Sequence, residues 1–553
     1  MKNNFQKLTA LLAATAMLAS LMTGCADTSV NNNAESSETN VSEVSTEATE
    51  TTVEVPEFSY PMDGVTVSYA LNMPGAAKAN FENMGDTEYA KTMEAATGIH
   101  VDWVQATGNA AEWFNLMLAD AEYADIIEWN WARSYAGGLS GAYNDGIAIE
   151  LNDVIDQYMP NFKAWLEANP DVDKLIKTDD GKYYGIPAVT SDSRMGNVLG
   201  YYVRQDWMDE LKIETPDTIE GWHDALVKIK ETKGITPLTG VGGYILKGGS
   251  FINAYAPSMM SNRYSLDAET GKVVFTAATE GYKEFLTTMA QWYSEGLIDK
   301  DFATIDTAGV KAKLLNEEAA MGWGYAGGGL QGTTLEGRAT NPDFTLAAVA
   351  TCAKEEGAEM LYCTADPRVV GNYAVITTQC ENVETAARYL DFLFSEEGIL
   401  ISNFGIEGVT YTAENGVPTY TDEILKNPDG LNVSAAMGKY IRAYSAFPGV
   451  QDYNYLIGYY ELDVTKAAPA TWGSNGTTEY ELPALSYTED ETSELSTIQT
   501  ELNTYADEMA VKFVLGTEDI ETKWDEYLEA LSQFGMDKTV EINQTAYERF
   551  LAR

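Results

Sequence analysis

The chain has 553 residues, with 35 Lys and Arg against 84 Asp and Glu and a formal net charge of −49 at pH 7. That balance argues against nucleic acid or an anionic polysaccharide as partner, since either needs a basic footprint. It suits a solvated surface and a neutral or cationic ligand, and the length allows two or three domains with a large core.

The first residues read as an export signal. Lys2 and Lys7 make a short basic region, an uncharged run from Leu8 to Met22 follows, and Thr23-Gly24 brings small residues up to Cys25. This order is that of a secretory signal, and the run is too short and alanine-rich for a membrane span. The cysteine at the cleavage point is similar to a lipobox, with Met22 where that pattern prefers Leu. Residues 1–24 are therefore expected to be a lipoprotein signal peptide, and Cys25 the lipidated (palmitate-bearing) first residue. The folded body would then work at the outer face of the cell membrane, held by lipid alone. Segment 25–57 has few apolar side chains among many Asn, Ser, Thr and Glu, too few to offset chain entropy, and reads as a disordered leash.

The body opens on an alternating, β-branched strand, Val65–Leu71. Asp86 is placed to cap a helix carrying Tyr89, Met93 and Ala96 on one face, with Gly98 as its stop. A strand at 100–105, a helix near 110–121 and an apolar strand at 124–129 follow. Strand and helix in alternation predict parallel strands with helical crossovers, an open α/β sheet whose ligands sit outside the carboxyl ends of the strands. Two loops fall there, Asn72-Met73-Pro74-Gly75 and Asn130-Trp131. Striped helices recur at 279–295, 382–395, 492–511 and 520–534, with apolar strands near 319–325, 345–351 and 372–377. Apart from Cys25, the cysteines are Cys352, Cys363 and Cys380, and there are two histidines. No metal-ligand spacing results, so neither a metal nor a cofactor is expected. The polar stretch between Cys352 and Cys363 can turn back on itself, which leaves a disulfide open beside the expected buried thiols.

Several stretches carry a resemblance. They are Asp180-Gly181-Lys182-Tyr183-Tyr184-Gly185-Ile186-Pro187, Tyr202-Val203-Arg204-Gln205-Asp206-Trp207, and Thr215-Pro216-Asp217-Thr218 before a helix. Further along come Tyr293-Ser294-Glu295-Gly296-Leu297-Ile298-Asp299, Phe404-Gly405-Ile406-Glu407-Gly408, and Tyr505-Ala506-Asp507-Glu508 with Lys512-Phe513-Val514-Leu515-Gly516. Each is weak alone; in this order, behind a lipoprotein signal, they make the chain resemble the extracellular solute-binding proteins of family 1. These are the sugar-type receptors of ABC importers, and the likeness is to their long Gram-positive lipoprotein subgroup. One departure is the lack of the Asp-rich calcium loop of some relatives. The resemblance implies a two-lobed, type II periplasmic-binding-protein-like α/β fold, with helices on both faces of open sheets and a cleft between the lobes. The expected division is 58–190 and 305–371 in the first lobe, 191–304 and 372–553 in the second. It implies a monomeric, non-enzymatic receptor that captures a carbohydrate, an oligosaccharide by expectation, and docks on permease subunits. Asp206 is expected to cap a helix starting at Trp207, Arg204 to orient that turn, and Gly296 to stop a helix in left-handed geometry.

A sugar site needs aromatic platforms and paired donors and acceptors. Candidates at strand ends are Trp129, Asn130 and Trp131, then Trp323 and Tyr325 beside Gly324 and Gly327–Gly329, all read as first-lobe positions. Asp192 and Arg194 sit on the first crossing between lobes, and Asp366 and Arg368 just before a returning strand. These four charges either contact ligand or pair across the lobes. Trp472, in an irregular Gly/Asn/Ser segment, does not read as core and is a further ligand-binding candidate; His100 and His223 read as structural. A rival class is a secreted glycan-active enzyme, which needs two facing carboxylates, and with 84 acids a pair can always be nominated. No GxSxG, HExxH or phosphate-binding Gly loop with Lys occurs in the chain. A lipoprotein that holds a peptide or a sensor partner is the third class.

Overall fold

The computed structural model describes residues 59–553 except 261, 366 and 415, so the expected signal peptide, Cys25, the leash and Asp366 lie outside the described residues. In order, the strands are β1 Val65–Leu71, β2 Ile99–Gln105, β3 Ile126–Trp129, β4 Ile186–Thr190, β5 Leu199–Arg204, β6 Tyr264–Leu266 and β7 Val273–Phe275. They continue with β8 Met321–Tyr325, β9 Leu346–Ala348, β10 Val369–Ile376, β11 Tyr411–Glu414, β12 Val417–Tyr420 and β13 Gly449–Gln451. β1 alternates at its start and is buried on both faces from Tyr69 onward, as befits a strand with parallel neighbours on each side. The helix after it, Glu88–Thr97, is capped by Thr87, whose hydroxyl accepts from the Ala90 amide. Asp86, the expected cap, lies in the preceding short turn instead. Gly98 ends the helix at φ 69°, where a Cβ would meet the Met62 amide nitrogen at 2.6 Å.

Six strands form one sheet in the order β13-β4-β10-β3-β1-β2. β1 runs parallel to β2 and β3, β13 runs parallel to β4, and β10 runs antiparallel between β3 and β4. A second sheet, β8-β5-β9, is antiparallel, and Leu238 adds parallel bridges to Met321 and Ile298 beside it. Two hydrophobic clusters fill the body, one around Ile127, Ile186 and Val375 that also takes in Tyr202 and Leu346 from one face of the second sheet, the other around Tyr201, Trp292 and Met321. The molecule is two-lobed on this account.

Strand pairing corrects the expected division of the chain. β8 and β9, in the 305–371 segment assigned to the first lobe, flank β5 in the second sheet. β10, which straddles the boundary at 371/372, and β13, within 372–553, belong to the six-stranded sheet, while the helices from Glu489 onward pack on the second core. The chain crosses between lobes after β4, between β9 and β10, and again between β13 and the helix Glu489–Leu515, and it stays in the second lobe through 305–320. Local pattern predicts that a strand forms; which distant strand it joins depends on pairing that the pattern does not encode.

Arg204 is fully buried, its guanidinium 4.1 Å from the ring centres of both Trp207 and Phe344, and Asp206 holds it at 2.6 Å. The helix there is Gln205–Leu211, so Asp206 is a counter-ion inside its first turn and not the cap. Cys352 and Cys363 are free and buried, and burial pushes the Cys352 thiol up to about 12. No helix among the described residues is long and apolar enough to cross a membrane.

Candidate functional site

The carboxyl ends of β1, β3, β4 and β13 share one edge of the first sheet, leading into Asn72, Asn130, Ser191 and Asp452. In the second lobe β8 and the Leu238 segment run parallel, and their carboxyl ends lead to Tyr325 and to the short helix Gly242–Ile245 that carries Tyr244. Tyr325 pairs with Leu199, the first residue of β5 after the crossover from β4. The two edges therefore adjoin the same crossover. That is where an open α/β sheet places its ligand.

The expected residues divide on inspection. Trp129 ends β3 half-buried, stacked on Phe114 at 4.3 Å and 8° between planes, and its Nε1 is buried without a partner. Asn130, next along, has a buried Oδ1 with no partner and does not use it to cap the short helix Trp131–Ser134. Trp131 is a correction. It is 0% exposed, packs edge-on against Phe114 and Tyr135, and donates Nε1 to the Ile127 carbonyl at 3.2 Å. The chain enters a helical turn at Asn130, which ends the strand alternation, so residues 129 and 131 do not share a face.

Trp323 lies in the second sheet, not the first, and is 4% exposed under Tyr244, which stacks on it at 4.7 Å and 13°. Its Nε1 is buried without a partner. The platform that faces outward is therefore Tyr244, 43% exposed, beside Tyr325 at 60%. Trp472 is also corrected to core: it ends the helix Asp463–Trp472, packs over Gly200 and donates Nε1 to the Tyr201 carbonyl at 2.8 Å. Asp192 and Arg194 pair with each other, which holds the Asp192 carboxyl below its usual range, and Arg194 lies 4.0 Å over the Tyr453 ring. Arg368 binds Asp171 at 2.9 Å, Asn169 at 2.8 Å and the Thr190 carbonyl, all within the first lobe. None of these three charges pairs across the lobes. Their work is to stiffen the ends of the crossovers.

Sequence reasoning missed three features. Tyr244 lies in the short helix Gly242–Ile245 behind a Gly-rich stretch, Gly240 to Gly243, which leaves little side chain to hide a ring. Trp113 is half-buried, 6.5 Å from Trp129, on the first turn of the helix Ala110–Asp120. Glu128, a lone acid in an apolar strand, is buried and accepts from Arg442 at 2.8 and 2.9 Å, Tyr69 at 3.0 Å and Asn372 at 3.3 Å. Burial alone would lower the Arg442 pKa; the Glu128 carboxylate outweighs it and leaves the guanidinium above its usual value. Asn372 also donates to the Ala446 carbonyl, so this network fixes the 442–446 segment against the ends of β1, β3 and β10.

Chemically the edges offer aromatic faces with unpaired donors and acceptors behind them. A buried polar group without a partner costs about 1–3 kcal/mol. No group of three His, Cys, Asp or Glu able to hold a metal occurs among the described residues. Two surface hollows, about 600 Å³ beside Tyr255 and Met536 and about 630 Å³ beside Ala95 and Ile406, are lined by residues other than these strand ends.

The bacterial extracellular solute-binding protein family matches residues 76–399. The fructooligosaccharide ABC transporter substrate-binding protein FusA of Streptococcus pneumoniae serotype 4 is 23% identical over 494 residues, 83% of this chain and 86% of that protein. Lipoprotein LipO of Bacillus subtilis is 24% identical over 357 residues, 61% of this chain and 66% of that protein. Among solved structures, the alginate-binding protein AlgQ2 without calcium superimposes with a TM-score of 0.66 at 25% identity, covering 88% of this chain and 98% of that one.

Proposed function

The chain belongs to the bacterial extracellular solute-binding proteins, with their type II periplasmic-binding-protein-like fold, and from that premise we propose that it is the carbohydrate receptor of an ABC importer. It is a binding protein and not an enzyme. The observation that carries the carbohydrate reading is the pair of adjoining strand edges. Trp129 Nε1 and Asn130 Oδ1 on one, and Trp323 Nε1 beneath Tyr244 on the other, are buried polar atoms without partners next to flat rings. Rings stack on the C–H faces of a sugar, and its hydroxyls both donate and accept. FusA and AlgQ2, whose names specify fructooligosaccharide and alginate, support the saccharide class. The net charge of −49 favours a neutral oligosaccharide over a uronate chain.

The receptor is proposed to act as a monomer at the outer face of the membrane, with lipid on Cys25, the 25–57 leash between anchor and body, and permease subunits as its docking partner. Thr23-Gly24-Cys25 behind an uncharged run supports the anchor, as does similarity to a protein named lipoprotein. A thermal-shift screen over neutral and acidic oligosaccharides tests the ligand class, because a ligand at a hundred times its Kd stabilises by about 2.7 kcal/mol. The expected result is a shift with a neutral oligosaccharide that is recovered uncleaved. Shifts with uronate oligomers alone, or with peptides alone, would overturn the reading.

A further inference from the structure

The helix Met536–Leu551 belongs to the second lobe. Gln544 Oε1 accepts from the Val273 amide of β7 at 2.8 Å, Asn543 Oδ1 accepts from the Tyr487 hydroxyl at 2.8 Å, and Ile542, Ala546 and Phe550 are buried. Its far end leaves that lobe and grips the first. Arg549 Nε reaches Asp179 Oδ2 at 2.6 Å, and Arg553 reaches Asp179 Oδ1 through Nη2 at 2.6 Å and Nε at 3.0 Å. Arg553 also donates to the Lys174 and Lys177 carbonyls, and Lys174 lies 4.7 Å over the Phe550 ring. The second-lobe side is equally braced: Arg549 holds Glu491 at 2.6 and 2.8 Å, and Arg553 holds Ser486 Oγ at 2.8 Å. The Arg553 side chain is 5% exposed, so salt and water screen this cluster less than a surface pair.

Its position matters as much as its strength. Asp179 sits on the turn closed by the Thr178 amide and the Lys182 carbonyl, upstream of β4. Nearby, the Leu151 amide bonds the Tyr183 carbonyl and the Ile149 amide bonds the Ile376 carbonyl at the end of β10. That is the amino edge of β4, the opposite end of the first sheet from Thr190, Asn130 and the ligand-facing edge. Lobes that rotate about the crossovers to bring their ligand edges together must carry the opposite ends apart. Charge-assisted bonds of 2.6–3.0 Å do not survive an ångström or two of separation.

We propose that Asp179, Arg549 and Arg553 form a latch between the lobes, behind the crossovers, that opposes closure and sets the resting hinge angle. Binding energy from the cleft must break the latch, so its strength tunes the apparent affinity through the open–closed equilibrium. This holds whatever the ligand is, since the latch touches none of the residues assigned to the cleft.

The test uses the ligand-free protein. Asp179→Asn and Arg553→Gln, singly and together, are compared with wild type by small-angle scattering and by thermal melting, with Asp179→Glu as the charge-retaining control. The expected result is a smaller radius of gyration in Asp179→Asn and Arg553→Gln, a double variant no more compact than the stronger single one, and an Asp179→Glu protein close to wild type. A lower melting temperature with an unchanged radius of gyration would make the cluster an ordinary structural contact and overturn the latch. An unchanged radius with unchanged melting, or a larger radius, would overturn it too.

Discussion

Trp129 and Trp131 stand two positions apart, and the backbone at Asn130 (φ −79°, ψ 65°) decides what each one does. Trp131→Ala should cost about 3–5 kcal/mol of stability, because it empties a fully enclosed site between Phe114 and Tyr135. Affinity measured on the folded fraction should stay near normal. Tyr244→Ala should behave in the opposite way: its outer face is open, so the loss falls on ligand stacking. At least tenfold weaker binding is expected, about 1.4 kcal/mol, with a melting change far smaller than for Trp131→Ala. Calorimetric affinity and ligand-free melting on both variants check the pair; a Tyr244→Ala protein with wild-type affinity removes that ring from the site. The aromatic excess was legible in the sequence, but which ring faces solvent was not. Trp323 is hidden by a tyrosine 79 positions upstream, and Trp472 is pinned to the carbonyl of a residue in β5.

At the scale of single elements, the helix Pro160–Ala168 starts with no side-chain cap of its own, and Asp391 of the helix Val383–Phe392 supplies one from across the core. Its carboxylate accepts from the Phe162 amide at 2.8 Å and from Asn161 Nδ2 at 2.7 Å. Burial pushes the Asp391 carboxyl up to about 6, against the two hydrogen bonds, which favour the charged form. The folded state then binds this proton more tightly than the unfolded state, whose pKa is the ordinary 3.8, so the contribution of Asp391 to stability falls as pH rises from about 4 to about 6 and levels above. Asp391→Asn should flatten that part of the melting-temperature profile, whereas Asp391→Ala loses the cap and should cost about 0.5–2 kcal/mol. A wild-type profile that runs parallel to that of Asp391→Asn through the same interval would show that the carboxyl does not titrate there. Caps of this remote kind leave no trace in local sequence. Local ones do: strand β1 and the helices Glu280–Ser294 and Ile520–Gln533 lie where period and caps put them. What the pattern could not reach was sheet membership, since β8 and β9 are more than a hundred residues from the β5 strand they flank.

The whole molecule is two cores joined at a few crossovers, and that architecture makes two further expectations separable. The first concerns where the body sits. Residues 1–25 carry the entire claim of anchoring, so Cys25→Ala should release a folded, ligand-competent protein into the medium or leave the signal uncut. Fractionation and intact mass measure this, and a variant that is correctly cut yet still membrane-bound refutes lipidation. The second concerns motion. The two sheets are separate, so the lobes can turn as bodies while the crossover segments 191–198, 349–368 and 452–488 absorb the change in dihedral angle. The charges that pin these segments, Arg194 with Asp192 and Arg368 with Asp171, stay within one lobe and so do not have to break when it turns. The contact that must break is the Asp179 cluster at the opposite end of the first sheet. Saturating the protein with an oligosaccharide that shifts its melting should therefore reduce the radius of gyration and expose Arg553 to arginine-selective reagents. Compaction without that exposure would mean that the lobes close about a different axis.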